Sequence, residues 1–265
     1  MFPIRDDNPT FSKPIATIFL IAVNVFAWVF LQGLGAVEPM AMSVCRFGLI
    51  PGDLLGTLPD GTLVQVGPGL GCRLDGGPAW HTLVTSMFMH GGWLHLIGNM
   101  WFLWIFGDNV EDTMGHVRFV VFYVLCGLAA AALQLVAGGD PAIPMVGASG
   151  AIGGVMGAYV LLYPRVHVYL LIFLGFFVTT VAVPAVFMLG YWFVVQLVGG
   201  VSASGVGGGV AFWAHIGGFV AGALLILVFR NPAMLRRHPY YGWKKPSPQR
   251  AWQRVDKRKT GSRDF

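Results

Sequence analysis

Charge is scarce in this chain, and it is missing where a soluble protein would need it. Asp, Glu, Lys and Arg make up 11% of the 265 residues, against 55% apolar. Between residues 119 and 229 only Asp140 and Arg165 carry a formal charge. A soluble core of that length would be solvated by charges, whereas a bilayer requires none, so the expected class is a membrane protein. Cysteine is scarce too. Cys45, Cys72 and Cys126 form no ligand cluster: Cys126 falls in an apolar helix, while Cys45 and Cys72 share one long loop, where a disulfide is open to them if that loop is extracytoplasmic. Collagen-like periodicity, helical-repeat periods and low-complexity runs are absent. No cleavable signal peptide is apparent, because the first apolar run begins only at Pro14 and reads as a span.

What the chain has in excess is glycine, 37 residues of it, which suits close helix packing in lipid. Six spans are expected: about Pro14–Leu31, Trp93–Val110, Val117–Val136, Ser149–Tyr163, Pro184–Val198 and Phe212–Phe229. The apolar run Val166–Val198 is too long for one upright helix of ~20 residues. Pro184 divides it, and Val168–Thr180 reads as interfacial or re-entrant. Residues 33–80 read as a long Gly/Pro-rich loop. Eleven of the 17 Lys and Arg residues lie at or after Arg230. That basic tail follows the last span directly, so anionic lipid is a better partner for it than nucleic acid, and it puts both termini in the cytoplasm. The 33–80 loop and the start of the helix at Ser149 then face outward. A bacterial inner membrane is the expected setting.

Polar groups at membrane depth are functional candidates by default. Ser149 begins a small-residue helix in Gly147-Ala148-Ser149-Gly150, and His215 lies within the last span. Gly150/Gly154 and Gly153/Gly157 are small-xxx-small pairs, and Ala214, Gly218 and Gly222 repeat at i, i+4, i+8 beside His215. Two helices meeting along these stripes can bring a hydroxyl nucleophile to an imidazole base. No Asp or Glu is near, so a Ser–His dyad is expected rather than a triad. His95 and Asn99 stand at i, i+4 on the second span and can donate to an oxyanion, helped by the first-turn amide of Ser149. Each residue has a plainer role to be weighed: a helix N-cap for Ser149, interhelical hydrogen bonding for the histidines and Asn99. A zinc site of His90, His95 and His215 is disfavoured, since no HExxH occurs and supporting carboxylates are scarce. A transporter would call for repeated halves or intramembrane ion pairs, and neither is present.

Taken together, His90-Gly91-Gly92-Trp93-Leu94-His95-Leu96-Ile97-Gly98-Asn99-Met100, Gly147-Ala148-Ser149-Gly150, Ala214-His215-Ile216-Gly217-Gly218 and Gly107-x3-Glu111-x3-Gly115 closely resemble the rhomboid family of intramembrane serine proteases. The resemblance covers about residues 14–230. It implies an all-α, polytopic six-transmembrane-helix bundle with a long first extracytoplasmic loop, flanked by a short cytoplasmic N-terminus (1–13) and a basic cytoplasmic tail (231–265). It further implies Ser149 as nucleophile, His215 as base, His95 and Asn99 as oxyanion donors, and His90 and Glu111 as structural supports; Gly218, from the glycine stripe, is expected to close the helix contact. The family's substrates are single-pass membrane proteins, cut without metal or cofactor. The alternative is a catalytically silent relative that binds or dislocates membrane helices. Two departures stand out. Trp80-His81 replaces the usual Trp-Arg of the first loop, and Gly153 takes the place of an aromatic that packs on the histidine, so something else must orient His215.

Overall fold

The structure, a computed structural model, describes residues 2–243 except 68, 75, 176, 203–209 and 237. Strand β1 (Phe2–Asp6) leads into helix α1 (Ile15–Phe26), which continues as a π-helical turn over Ala27–Leu31. Next come α2 (Val37–Phe47), α3 (Pro51–Leu54), the hairpin β2 (Leu63–Gly67) and β3 (Leu70–Arg73), and α4 (Thr82–Thr85). The main body follows: α5 (Trp93–Met114), α6 (His116–Ala137), α7 (Ser149–Leu162), the hairpin β4 (His167–Leu174) and β5 (Phe177–Pro184), α8 (Ala185–Ser202), α9 (Phe212–Phe229) and α10 (Pro232–Leu235). Most of the basic tail lies outside the described residues.

Among the described residues, α6, α8 and α9 are long and apolar enough to cross a membrane. Ile15–Leu31 and α7 are shorter apolar helices. Helix α5 has the length, 22 residues, but carries Asp108, Glu111 and Asp112 in its last two turns. The middle of the bundle is α7, nearly all of whose residues from Gly150 to Leu162 are buried. Around it pack Phe106 from α5 and Phe119, Phe122 and Tyr123 from α6, all without solvent exposure. Helix α8 is the opposite case: only Ala185, Leu189, Gln196 and Gly200 are buried, one inward stripe on an otherwise apolar, outward-facing surface.

Two expectations are corrected. The fold is not wholly helical, because it holds a three-stranded sheet in the order β1-β4-β5 and the two-stranded β2–β3 sheet. The segment expected to be interfacial or re-entrant is the hairpin β4–β5, in register from His167↔Pro184 to Leu174↔Phe177, and the following helix starts at Ala185. Its Val, Ile, Thr, Tyr and Phe content favours a pleated strand over a helix. Gly175, at φ 61°, makes the turn, and β1 supplies the outer partner from Phe2↔Leu171 to Asp6↔Val168. The 33–80 stretch is likewise structured rather than open loop. Its hairpin is tied to α2 by a Cys45–Cys72 disulfide, and the buried Ile50, Val64, Cys72 and Leu74 form a small core of their own.

Residues 231–243 fold back on the bundle. Leu235 and Tyr240 join the main core, the Gly242 amide donates to the Leu162 carbonyl (2.8 Å), and His238 Nε2 lies 3.1 Å from Asp112.

Candidate active site

Helices α7 and α9 meet with no side chain between them. A Cβ placed on Gly218 would fall 1.8 Å from the Gly150 carbonyl oxygen, and one on Gly222 would fall 1.9 Å from that of Gly154. Glycine is therefore required at both positions, and backbone rests on backbone. This contact sets the upper ends of the two helices side by side. Ser149 is the first residue of α7 and His215 stands in the first turn of α9. The Ser149 Oγ hydroxyl donates to His215 Nε2 at 2.8 Å, a distance suited to proton transfer. Both side chains are only partly buried, so the hydroxyl is not sealed from an incoming substrate.

His215 Nδ1 faces Gln196 Oε1 at 2.7 Å. A carbonyl oxygen can only accept, so the proton sits on Nδ1 and Nε2 presents its lone pair to Ser149. Trp192, one turn before Gln196 on α8, lies against the imidazole with ring centroids 5.9 Å apart and planes inclined by 37°. With no aromatic at Gly153, the imidazole is instead contacted by these two α8 residues. Sequence reading passed over both, although Gln196 carried a usable signal: it is a buried amide in an apolar span, the same kind of anomaly that marks His215. On the far side of α9, Gln134 Oε1 accepts the Ala214 amide at 3.1 Å and fixes the backbone next to the histidine.

His95 approaches Ser149 across Gly147. The Gly147 φ of 128° suits glycine, and a Cβ there would fall 2.7 Å from His95 Nε2 and 3.6 Å from Ser149 Oγ, so both groups crowd the same small space. The Gly91 amide donates to His95 Nδ1 at 3.3 Å, which leaves the proton on Nε2, the nitrogen turned toward Gly147 and Ser149. One turn on, Asn99 is 7% exposed, and its Nδ2 makes no hydrogen bond among the described residues. His90 is fully buried with its ring edge-on to His95, centroids 5.2 Å apart. Burial first, and then the neighbouring His95, push its imidazole down to about 3, so it is neutral at physiological pH. Gln32, another residue not found from sequence, clamps the His90 backbone: Nε2 donates to the carbonyl at 2.7 Å and Oε1 accepts the amide at 2.8 Å.

Glu111 does not join this group. It lies sixteen residues along α5 from His95, about 24 Å at 1.5 Å per residue. There it accepts the Ala16 amide (2.9 Å), the Thr17 amide (2.7 Å) and the Thr17 hydroxyl (2.7 Å), capping the start of α1, which has no cap of its own. His81, in place of the usual arginine, contacts the Arg46 carbonyl through Nε2 at 3.0 Å, while Thr85 donates to the Phe47 carbonyl at 2.9 Å. The last carbonyls of α2 are thus still held. Among the described residues no group of three or more His, Cys, Asp or Glu side chains is placed to share a metal ion.

A hydroxyl with an aligned base, with His95 Nε2 turned toward the same small space, is equipped for nucleophilic acyl transfer. A family model described as the Rhomboid domain matches residues 77–232, more than half of the chain. Similar curated proteins include RHOMBOID-like protein 4 of Arabidopsis thaliana, 30% identical over 187 residues (70% of this chain and 42% of that protein). Rhomboid protein 1, mitochondrial, of Saccharomyces cerevisiae is 29% identical over 152 residues (54% and 40%). Rhomboid-like protein 11, chloroplastic, of Arabidopsis thaliana is 38% identical over 84 residues (32% and 30%). The matched part of the chain thus spans less than half the length of each of these relatives.

Proposed function

Because the chain belongs to the rhomboid family, we propose that it is an intramembrane serine endopeptidase that cuts single-pass membrane proteins in or beside their spans. The observation that carries this reading is the 2.8 Å contact between Ser149 Oγ and a His215 Nε2 free to accept. In the reaction Ser149 Oγ attacks the scissile carbonyl carbon as His215 Nε2 takes the hydroxyl proton. The carbonyl oxygen becomes an oxyanion facing His95 Nε2–H, Asn99 Nδ2–H and the Ser149 amide. Collapse of the tetrahedral intermediate breaks the C–N bond, and His215 returns the proton to the leaving amine. Water, deprotonated by the same histidine, then hydrolyses the acyl-enzyme and restores Ser149. His90 and Glu111 act as supports at opposite ends of α5, and no metal or cofactor enters the scheme.

The membrane arrangement we propose has six spans, the three long apolar helices joined by Ile15–Leu31, α5 and α7. Both termini are cytoplasmic, residues 14–230 form the membrane domain, and the 231–265 tail contacts anionic lipid in a bacterial inner membrane. The disulfide between Cys45 and Cys72 supports an oxidising compartment for the first loop, and with it an outward-facing Ser149.

The test is cleavage of a model transmembrane substrate by the purified protein in detergent, wild type against Ser149→Ala. The wild type should cut and should be labelled at Ser149 by a mechanism-based serine reagent, and the variant should do neither. A folded wild type that binds the substrate without cutting it would favour the silent, helix-binding alternative instead.

A further inference from the structure

A base that takes a proton through Nε2 must be kept protonated at Nδ1, and nothing else on α9 can do that for His215. The carboxylate that performs this task in a triad is not at hand, since the only formal charges between residues 119 and 229 are Asp140 and Arg165. The position is filled instead from α8. Gln196 is 8% exposed, in the middle of the single buried stripe Ala185, Leu189, Gln196, Gly200. The glycines just after it allow the approach: a Cβ on Gly199 would fall 2.5 Å from the Phe212 ring, and one on Gly200 would fall 3.2 Å from the Trp213 ring. Helix α8 is thereby drawn onto the first turn of α9, where His215 stands.

We propose that Gln196 is a positioning residue of the reaction, its Oε1 accepting the Nδ1–H of His215 and so holding the imidazole in the tautomer that can deprotonate Ser149. An amide suits this place better than a carboxylate would. It costs far less to bury in a low-dielectric site, and it leaves the basicity of the imidazole largely alone. Its weakness is symmetry, because an amide turned over would offer Nε2–H to Nδ1 and drive the imidazole proton onto the nitrogen facing Ser149. Trp192, packed on the same imidazole from the preceding turn, restricts the ring, and Gln134 fixes the backbone at Ala214.

This inference rests on the Ser149–His215 reading and is separable from it. Gln196→Leu, of similar size but without an acceptor, should lower kcat by about 10²-fold, the scale of a misplaced catalytic group, with KM little changed. Gln196→Glu restores an acceptor and adds a negative charge beside the imidazole. It should recover most of the lost kcat while moving the acidic limb of the kcat/KM profile to higher pH by about one to three units, because the carboxylate favours the protonated, inactive histidine. Nitrogen-15 NMR of the histidines should show His215 protonated at Nδ1 in the wild type and a mixed tautomer in Gln196→Leu. A residue that only packs α8 would shift the melting temperature and none of these. Folded Gln196→Leu with wild-type kcat, or Gln196→Glu with an unmoved acidic limb, overturns the proposal. Should Gln196→Leu fail to fold, the pH profile of the isosteric Gln196→Glu decides. Substantial cleavage by Ser149→Ala would instead defeat the acyl-transfer reading itself, whatever Gln196 does.

Discussion

Gly218→Ala is the smallest change that should part α7 from α9. The added methyl would sit 1.8 Å from the Gly150 carbonyl oxygen, where ordinary contact begins at 3.4 Å, so the helices must separate by about 1.6 Å. The obstacle is backbone, and no rotamer change relieves it. The hydrogen bond between Ser149 and His215, 2.8 Å in the native contact, would open beyond the ~3.2 Å at which such bonds fail. The same displacement is overpacking, worth about 1–3 kcal/mol of stability. A misplacement of ~1 Å can lower turnover by ~10²-fold, so we expect at least that loss in a protein that still folds. Initial cleavage rates and melting curves from the same detergent preparations measure both effects. Gly190→Ala on α8 is the control, since nothing lies within 4 Å of its added methyl and it should leave rate and fold unchanged. Folded Gly218→Ala at full activity would refute the idea that backbone contact sets the dyad distance.

Asn99→Ala should lower kcat by ~10²–10³ with little change in KM, as removal of an oxyanion donor does; a drop in melting temperature with unaltered kcat would leave Asn99 as packing alone. Reducing the disulfide, or replacing Cys45 and Cys72 by Ser, frees a loop with a sequence separation of 27. A loss of about 3–4 kcal/mol is expected from the loop-closure relation, read as protease sensitivity of residues 33–80, with the dyad chemistry retained. The Asp6 carboxyl, near Tyr159 and Asp108, is raised from 3.8 to about 8, chiefly by desolvation. Between those values the folded form holds a proton that the unfolded chain has released, so stability should fall as pH rises from about 4 to 8. Asp6→Asn should flatten that fall in thermal melts taken across the range, and an unaltered pH dependence would remove Asp6 as its source.

The parts of the molecule that declared themselves in the sequence are those where chemistry conflicts with setting. A serine, a histidine and glycine stripes in a charge-free stretch are costly unless used, and the structure puts Ser149, His215, Gly218 and Gly222 at one helix contact. Helices α6, α7 and α9 lie within a residue of their expected bounds because unbroken apolar content is read the same way locally and globally. The hairpin over residues 167–184 escaped notice for the converse reason. Its apolar run resembles a membrane helix, and what makes it a sheet is a partner strand more than 160 positions away, at Phe2–Asp6. The signal at hand was its β-branched and aromatic content, outweighed by the absence of charge. Gln196 was missed although it obeys the same rule as His215, because no motif surrounds it.

The pairing of Phe2 with Leu171 also dictates an order of events. Strand β1 is synthesised well before its partner β4, which follows only after α1, α5, α6 and α7 have all been made. Residues 2–6 must therefore wait, unpaired, while the intervening helices are made. Contacts of such high sequence separation form slowly, since the loop must close before the contact rewards it. Sheet closure is then a check on assembly: it can form only if α7 has been delivered with its Leu162 end beside β1. A chain with α7 inverted or omitted would leave β1 and β4 as exposed edges, the kind of surface that quality-control proteases and aggregation both exploit.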